Sequence, residues 1–380
     1  MIKNIIPFYI SSEKLIVKSE DCYQFDSDGK RYIDFESGVW CTNIGHSNKY
    51  ITNLIASQAE QSIHHGYKFR NEFAEMLSKE LQRIIGIENG ASVFLSSGSE
   101  AVNLAIVISQ HIINRKKILK IDNTYLSAYG FGQISTDNEY ITNVRYNDIE
   151  SIKKINFKEI ACLVLETGGA SIDIVQFPEY SFVKELVDIA KLNGCIIIAE
   201  EVTTGMGRTG KWFGFQHYDI IPDIIVIGKA IGNGYPVSAV TISNKINREF
   251  CKNPFRYAQS HQNDPLGCAI GLEVIKYIEK NNLIDRSNTT GKYFKEQLES
   301  LKNKYKKHIK SVRARGLMFA MEFTPTINIE CISNKLFEKG IIIGYKHESL
   351  RFLPPLTIKQ SDIDVLIKSL DELLSNKNRT

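Results

Sequence analysis

Residues Ile196–Val237 read IIIAEEVTTGMGRTGKWFGFQHYDIIPDIIVIGKAIGNGYPV. A short apolar run, Ile196–Ala199, stops at two acids, Glu200 and Glu201. A second run, Ile224–Ile227, stops at Gly228-Lys229 and a glycine-rich turn. Unbroken apolar runs of this length point to strands buried on both faces, as in a parallel sheet. In such sheets ligands bind beyond the carboxyl ends of the strands. The two runs therefore deliver a carboxylate and an amine to the place where a site is expected.

A paired amine and carboxylate suit a pyridine-based cofactor. The amine can form a Schiff base, and the acid can keep the ring nitrogen protonated. A competing reading lies inside the same stretch. Gly205-Met206-Gly207-Arg208-Thr209-Gly210 fits the G-x-G-x-x-G pattern of nucleotide-binding loops. Two acids separate the strand from the first glycine, however, and Trp212-Phe213-Gly214-Phe215 does not continue as a helix. A tight loop beside the site is the better reading.

Working outward, Phe182–Asn193 has helical spacing and ends at Gly194. Glu159–Leu165 reads as a strand ending at Glu166. Lys117–Ile121 and Val237–Ser243 are further strands. Ala91–Leu95 is a strand that runs into Ser96-Ser97-Gly98-Ser99-Glu100-Ala101 and then a helix, with Ala101, Leu104, Ala105 and Ile108 on one face. Small hydroxyl residues and a glycine at a strand-to-helix turn make an anion site, because the first N–H groups and the helix dipole point outward. Tyr50–His64, Asn71–Ile85 and Pro265 to about Glu279 read as helices. Leu15–Phe35 reads as a hairpin turning at Asp26-Ser27-Asp28-Gly29. Lys292–Lys310 is lysine-rich, but Phe294, Leu298, Leu301 and Tyr305 follow helical spacing, so the charges are a solvated face.

The central stretch resembles the class III pyridoxal-phosphate aminotransferases of the ornithine, acetylornithine and 4-aminobutyrate type. The resemblance is carried by Glu200-Glu201-Val202-Thr203-Thr204-Gly205-Met206-Gly207-Arg208-Thr209-Gly210, then Pro222-Asp223 and Gly228-Lys229, and it extends from about Leu15 to about Asp371. Glu200 stands where the family has Asp, and Thr203 where it usually has Gln. The resemblance implies an α/β protein of fold type I. A mostly parallel sheet would sit in a large domain of residues 50–265, and residues 1–49 with 266–380 would form a small α+β domain.

The resemblance also implies site roles. Lys229 would carry pyridoxal 5'-phosphate as an imine and shuttle protons, and Glu200 would hold the ring nitrogen. Ser97, Gly98 and Ser99 would hold the phosphate. Tyr125 would stack on the ring, Val202 would pack against its face and Thr203 would bond its 3-oxygen. Glu166 would support the site from behind. Ser260, in Arg256–Cys268, would reach the phosphate of a neighbouring subunit, so a homodimer with shared active sites is expected. Val312–Met318 is similar to a strand of the family, and Arg351, in Leu350–Leu356, would grip a substrate carboxylate. Trp40 would line the pocket or else be a buried core aromatic, Tyr67 is a weaker candidate for the same wall, and His46 would satisfy a turn. Ala128 falls where ornithine-type enzymes carry an Arg for a substrate carboxylate, and Ser171 where they carry a Glu that masks a substrate-binding Arg, so a different substrate logic is expected.

The composition agrees with an enzyme of small molecules. A net charge of +4 over 380 residues gives no nucleic-acid footprint. Seven scattered cysteines without a C-x-x-C pair suggest reduced thiols and a cytoplasmic setting. No metal-spaced His/Cys cluster, signal peptide or membrane-spanning run is expected. The activity expected is transfer of an amino group from an amino acid or amine to an oxo acid or aldehyde. A racemase, epimerase or aminomutase on the same scaffold is the alternative.

Overall fold

The computed structural model describes residues 5, 6, 8, 12–168 and 175–376. Ser171 lies outside the described residues.

Seven strands form the central sheet: β1 (Ala91–Leu95), β2 (Lys117–Ile121), β3 (Ile141–Val144), β4 (Ile160–Glu166), β5 (Ile196–Glu200), β6 (Ile224–Ile227) and β7 (Ser238–Ile242). Their spatial order is β1-β7-β6-β5-β4-β2-β3. β7 runs antiparallel to both of its neighbours, and the other pairs are parallel. Every residue of β4, β5 and β6 is buried. The reason is visible in the alternation. Leu163, Leu165, Ile197, Ile225 and Ile227 pack to one side with Phe182 and Leu186. Cys162, Val164, Ile196, Ile198, Ile224 and Val226 pack to the other with Ala101, Leu104, Ala105 and Ile108. A strand covered on both faces has no polar side, which is why these runs are continuous.

Elements expected from the sequence are found close to their expected limits, with ends shifted by a few residues. The helices run over Lys49–Gln61, Glu72–Ile85, Gly98–Ile113, Tyr180–Leu192 and Pro265–Lys280. Leu283–Lys304 buries Phe294, Leu298 and Leu301 and leaves its lysines outward.

Two segments differ from expectation. Leu15–Phe35 is a three-strand meander rather than a single hairpin: Ile16–Glu20, Tyr23–Asp26 and Arg31–Asp34. An extra reversal falls at Asp21, whose φ is 51°. Asp tolerates this left-handed conformation, and no glycine marks it. The Val312–Met318 stretch is likewise not one strand. It is split into Ile309–Arg315 and Met318–Phe323 by a turn at Gly316. Strand Ile341–Ile342 pairs in parallel with Arg31–Asp34, so the two ends of the chain share one sheet.

Candidate active site

The carboxyl ends of β4, β5 and β6 hold the charged groups. Glu166 and Glu200 are register partners on adjacent strands, and Glu200 is opposite Val226 on β6. Lys229 follows β6 by two residues, in a 3-10 turn, with φ 44°. A lysine in this left-handed region is strained, and such strain is found where a side chain must be aimed. Its Nζ donates to Thr203 Oγ1 at 2.9 Å and lies 4.6 Å from the Trp40 ring centroid. Thr203 therefore meets the amine itself in this structure.

Burial dominates the electrostatics. It lowers the pKa of Lys229 against the opposing pull of Glu200. It pushes Glu166 up to about 7, although Lys229, the Tyr125 backbone N–H and Lys120 all favour the charged form. Glu200 is raised well above the usual carboxylate range, first by burial and then by Glu166, with Lys229 opposing. Glu166 thus feels two amines, whereas Glu200 feels one amine and two further carboxylates, Glu166 and Glu201. Its Oε1 accepts from Val202 N–H at 3.2 Å, and Glu166 Oε2 is buried without a hydrogen-bond partner among the described residues. The site is short of positive charge beside Glu200. A protonated ring nitrogen would fill that deficit.

Glu201 points away from this cluster. Its carboxylate accepts from Thr204 Oγ1 at 2.6 Å and from the Gly214 and Phe215 N–H groups at 2.8 Å each. It braces the loop that carries the G-x-G-x-x-G pattern, and Gly214–Tyr218 is a 3-10 turn, not the long helix of a nucleotide-binding fold.

The turn into helix Gly98–Ile113 forms the other wall. Ser97 Oγ caps the helix by accepting from Glu100 N–H at 3.2 Å. Ser99 Oγ accepts from Ala128 N–H at 2.9 Å, tying the Tyr125 loop to the helix start. Both hydroxyls accept within the chain, so both O–H groups remain able to donate outward. The first N–H groups of the helix, Gly98 and Ser99 among them, have no intrahelical acceptor. Tyr257 OH and Gln259 Nε2 hold Glu100 at 3.0 and 3.4 Å. A Cβ on Gly98 would lie 2.9 Å from both Val202 methyls. Gly98→Ala is expected to lower stability by about 1–3 kcal/mol through overpacking, measured by denaturant unfolding; an unchanged midpoint would show that the contact can relax.

Trp40 reaches the site by a device the sequence did not announce. Ser37, Gly38, Val39 and Trp40 all have positive φ, at 41°, 58°, 57° and 67°. This left-handed turn costs roughly 1–2 kcal/mol per non-glycine residue. It is held by Asp34, which accepts from Glu36 N–H at 2.8 Å and Gly38 N–H at 2.9 Å, and by Ser37 Oγ donating to Leu353 O at 2.7 Å. His46 Nε2 lies 2.8 Å from Asp34 Oδ2, so it supports the turn. Arg351 also meets Trp40, its guanidinium 5.0 Å from the ring centroid. Its partner is Glu36 at 3.6 Å, a residue not picked out as functional from the sequence.

Not every expected residue converges here. Ser260 and Tyr67 are exposed, and Tyr125 is partly so. A His64, His261 and Asp264 cluster has spacing compatible with a metal, but its short His–Asp contacts of 2.5 and 2.6 Å are those of hydrogen bonds.

The aminotransferase class-III family profile matches residues 10–128 and 128–374. The chain belongs to the class-III aminotransferases. This class-III aminotransferase is 33% identical to the acetylornithine aminotransferase of Caldanaerobacter subterraneus subsp. tengcongensis, over 95% of this chain and 94% of that protein. It is 30% identical to the ornithine aminotransferase of Oceanobacillus iheyensis, over 92% and 91%. The solved acetylornithine aminotransferase of Elizabethkingia anophelis superposes with a TM-score of 0.87 at 26% identity, covering 98% of this chain and 96% of that one. The class-III aminotransferase is thus a pyridoxal-phosphate-dependent transaminase of fold type I, and these relatives give the isomerase alternative no support. No helix among the described residues is long and apolar enough to cross a membrane.

Proposed function

We propose that this transaminase takes its amino group from a donor bearing an α-carboxylate and passes it to an oxo acceptor, with Lys229 as the proton-moving amine. The observation that carries the reading is the buried Lys229 amine facing Glu200 and Glu166 at the ends of adjacent strands. Bound there, pyridoxal phosphate supplies a carbonyl for amines and an electron-withdrawing ring.

The chain does the rest. Lys229 Nζ takes the proton from the carbon that bears the amino group and returns it elsewhere, a task for which its lowered pKa suits it. Glu200 holds the ring nitrogen protonated. Ser97, Gly98 and Ser99 hold the phosphate through N–H and O–H donors. Val202 and Tyr125 would bracket the ring, and Thr203, which accepts from Lys229 here, would hold the ring oxygen. Glu166 keeps Glu200 basic by like-charge proximity. Trp40 walls the pocket and excludes water. Arg351 grips the carboxylate.

A homodimer is part of the proposal. Ser260 is exposed, and Ile63, Tyr67 and Phe69 present exposed apolar surface on one loop, which suits burial against a second subunit that receives Ser260 at its phosphate. The shared sheet of the chain ends supports the division into residues 50–265 and residues 1–49 with 266–380. Seven unpaired thiols support a reducing, cytoplasmic setting.

The names of the relatives point to ornithine-like donors. Ala128, without a guanidinium to grip a second carboxylate, points away from them. The test uses the holoenzyme and single amino acids. A carboxylate-bearing donor alone is expected to convert the bound cofactor to its aminated form, and an oxo acid to restore it. Arg351→Gln is expected to raise the donor KM about ten- to a hundredfold, the worth of a charge-assisted contact. A donor KM unmoved by Arg351→Gln would sink the carboxylate assignment.

A further inference from the structure

Away from Lys229, His64, His261 and Asp264 come together closely enough to hold a metal ion, their ligand atoms all within 4.8 Å of one another. His64 Nδ1 lies 2.5 Å from Asp264 Oδ1, and His261 Nδ1 lies 2.6 Å from Asp264 Oδ2. The two imidazole centroids are 5.0 Å apart, with the rings tilted by 52°. The three residues belong to two distant segments. His64 sits in the loop between helices Lys49–Gln61 and Glu72–Ile85, and the other two lead into helix Pro265–Lys280.

The carboxylate is placed in an unusual way. Asp264 is the N-cap of helix Pro265–Lys280, yet its side chain makes no capping bond. An N-cap side chain of this type ordinarily accepts from the first helical N–H groups. Asn48, Asn71, Asp148 and Asn328 all do so in this chain. Asp264 instead gives one oxygen to each imidazole. Exposed contacts of this kind add little to stability, so stability does not account for the exchange. The carboxylate is also firmly held. Its side chain is only 12% exposed, against 40% for His64 and 63% for His261. Asn263, just before it, has φ 58°. It is pinned on both sides: its Oδ1 accepts from Phe94 N–H at 2.9 Å, and its carbonyl accepts from Asn71 Nδ2 at 2.6 Å. A fixed carboxylate therefore faces two imidazoles that can turn.

We propose that His64, His261 and Asp264 form a binding site for a divalent transition ion of the zinc type. Two imidazole nitrogens and a carboxylate oxygen are the mixed donor set that such ions take, whereas magnesium and calcium prefer oxygen alone. The contacts seen here are hydrogen bonds, and the ion would take the place of the bridging protons. Ligand bonds of about 2.0–2.2 Å at tetrahedral angles set ligand atoms about 3.3–3.5 Å apart, so each His–Asp contact must open by about 1 Å. Rotation of exposed imidazoles supplies that. His261 and Asp264 also line a cavity of about 170 Å³ with Ser96 and Tyr235, which gives room for water to complete the coordination. The ion would clamp the His64 loop to the start of helix Pro265–Lys280. His261 follows Ser260 directly, so the ion would also fix the segment that the homodimer proposal sends to a neighbouring phosphate. That consequence rests on the homodimer proposal; the site does not.

The probes are Zn²⁺ and Co²⁺. Chelator-treated holoenzyme is dialysed against zinc chloride and its bound metal counted, and cobalt is titrated separately to read its visible d–d absorption. One zinc per chain is expected, with a cobalt spectrum of low coordination number and a thermal unfolding midpoint that rises with zinc. His64→Ala and His261→Ala are each expected to weaken binding by at least about ten- to a hundredfold, the scale on which even the groups behind a ligand act. Both side chains are exposed, so the metal-free midpoints should match wild type. Wild-type enzyme that takes up no zinc would overturn the proposal. So would zinc held equally well by both variants, on the exposed Cys251 for example. The consequence for Ser260 is read from cofactor release. Zinc is expected to slow release several-fold in wild type and to leave His261→Ala unchanged. If zinc binds but release is unaltered, the site stands and its link to Ser260 is wrong. If Ser260→Ala releases cofactor no faster than wild type, the shared-site reading is the one that fails.

Discussion

Lys229→Ala is expected to lower kcat by at least 10²- to 10⁴-fold, the range over which a positioned proton-transfer group acts. The argument is positional. The amine sits on a strained backbone at φ 44°, over Trp40 and hydrogen-bonded to Thr203. Burial lowers its pKa, so it sheds its proton more readily than an exposed lysine. Lys229→Arg is expected to be as inactive, because a guanidinium keeps its proton and cannot act as base. Added methylamine is expected to restore part of the Lys229→Ala rate. The competing amine is Lys120, which is buried at 2% exposure, has its pKa lowered by burial and sits beside Glu166. Borohydride reduction of the wild-type holoenzyme followed by peptide mapping decides between them. Cofactor fixed to Lys120 with Lys229 unmodified would overturn the assignment.

Arg208→Ala is expected to cost about 3–5 kcal/mol, the penalty for removing one partner of a buried charged network. Arg208 is fully buried. It donates to Leu317 O and Ser37 Oγ at 3.1 Å each, and to Pro354 O and Asn43 Oδ1. Alanine would strand four acceptors and leave a cavity, against a typical total stability of about 5–15 kcal/mol. Ser37 is the first residue of the left-handed turn that aims Trp40, so activity should fall with stability. Arg208→Lys, which keeps the charge but loses the planar fork, is expected to fall between the two. Denaturant unfolding measures this directly. A loss below about 1 kcal/mol would mean that the loop relaxes and that the arginine is not the bolt its contacts imply.

Much of this molecule was legible beforehand because its chemistry is local. The strand–acid and strand–lysine units of Ile196–Lys229 announce themselves through unbroken apolar runs, and the helix start at Ser97–Glu100 through its hydroxyls. Where the reading failed, the cause was also local. The reversal at Asp21 and the turn at Gly316 interrupt stretches whose composition looks strand-like throughout. Arg208 was seen only as part of a glycine loop, since nothing near it in the chain shows that its side chain will be swallowed whole.

The sequence by itself determined that two fully buried parallel strands end in an amine and an acid, because a run without polar residues can only be covered on both sides. Only the tertiary structure decided that Glu166 would stand beside Glu200, that a left-handed turn would bring Trp40 against both Lys229 and Arg351, and that Glu36 would pair with Arg351. Those contacts join segments far apart in the chain. Side-chain periodicity reports which face of an element is buried, whereas which charges meet there is set by strand order and register.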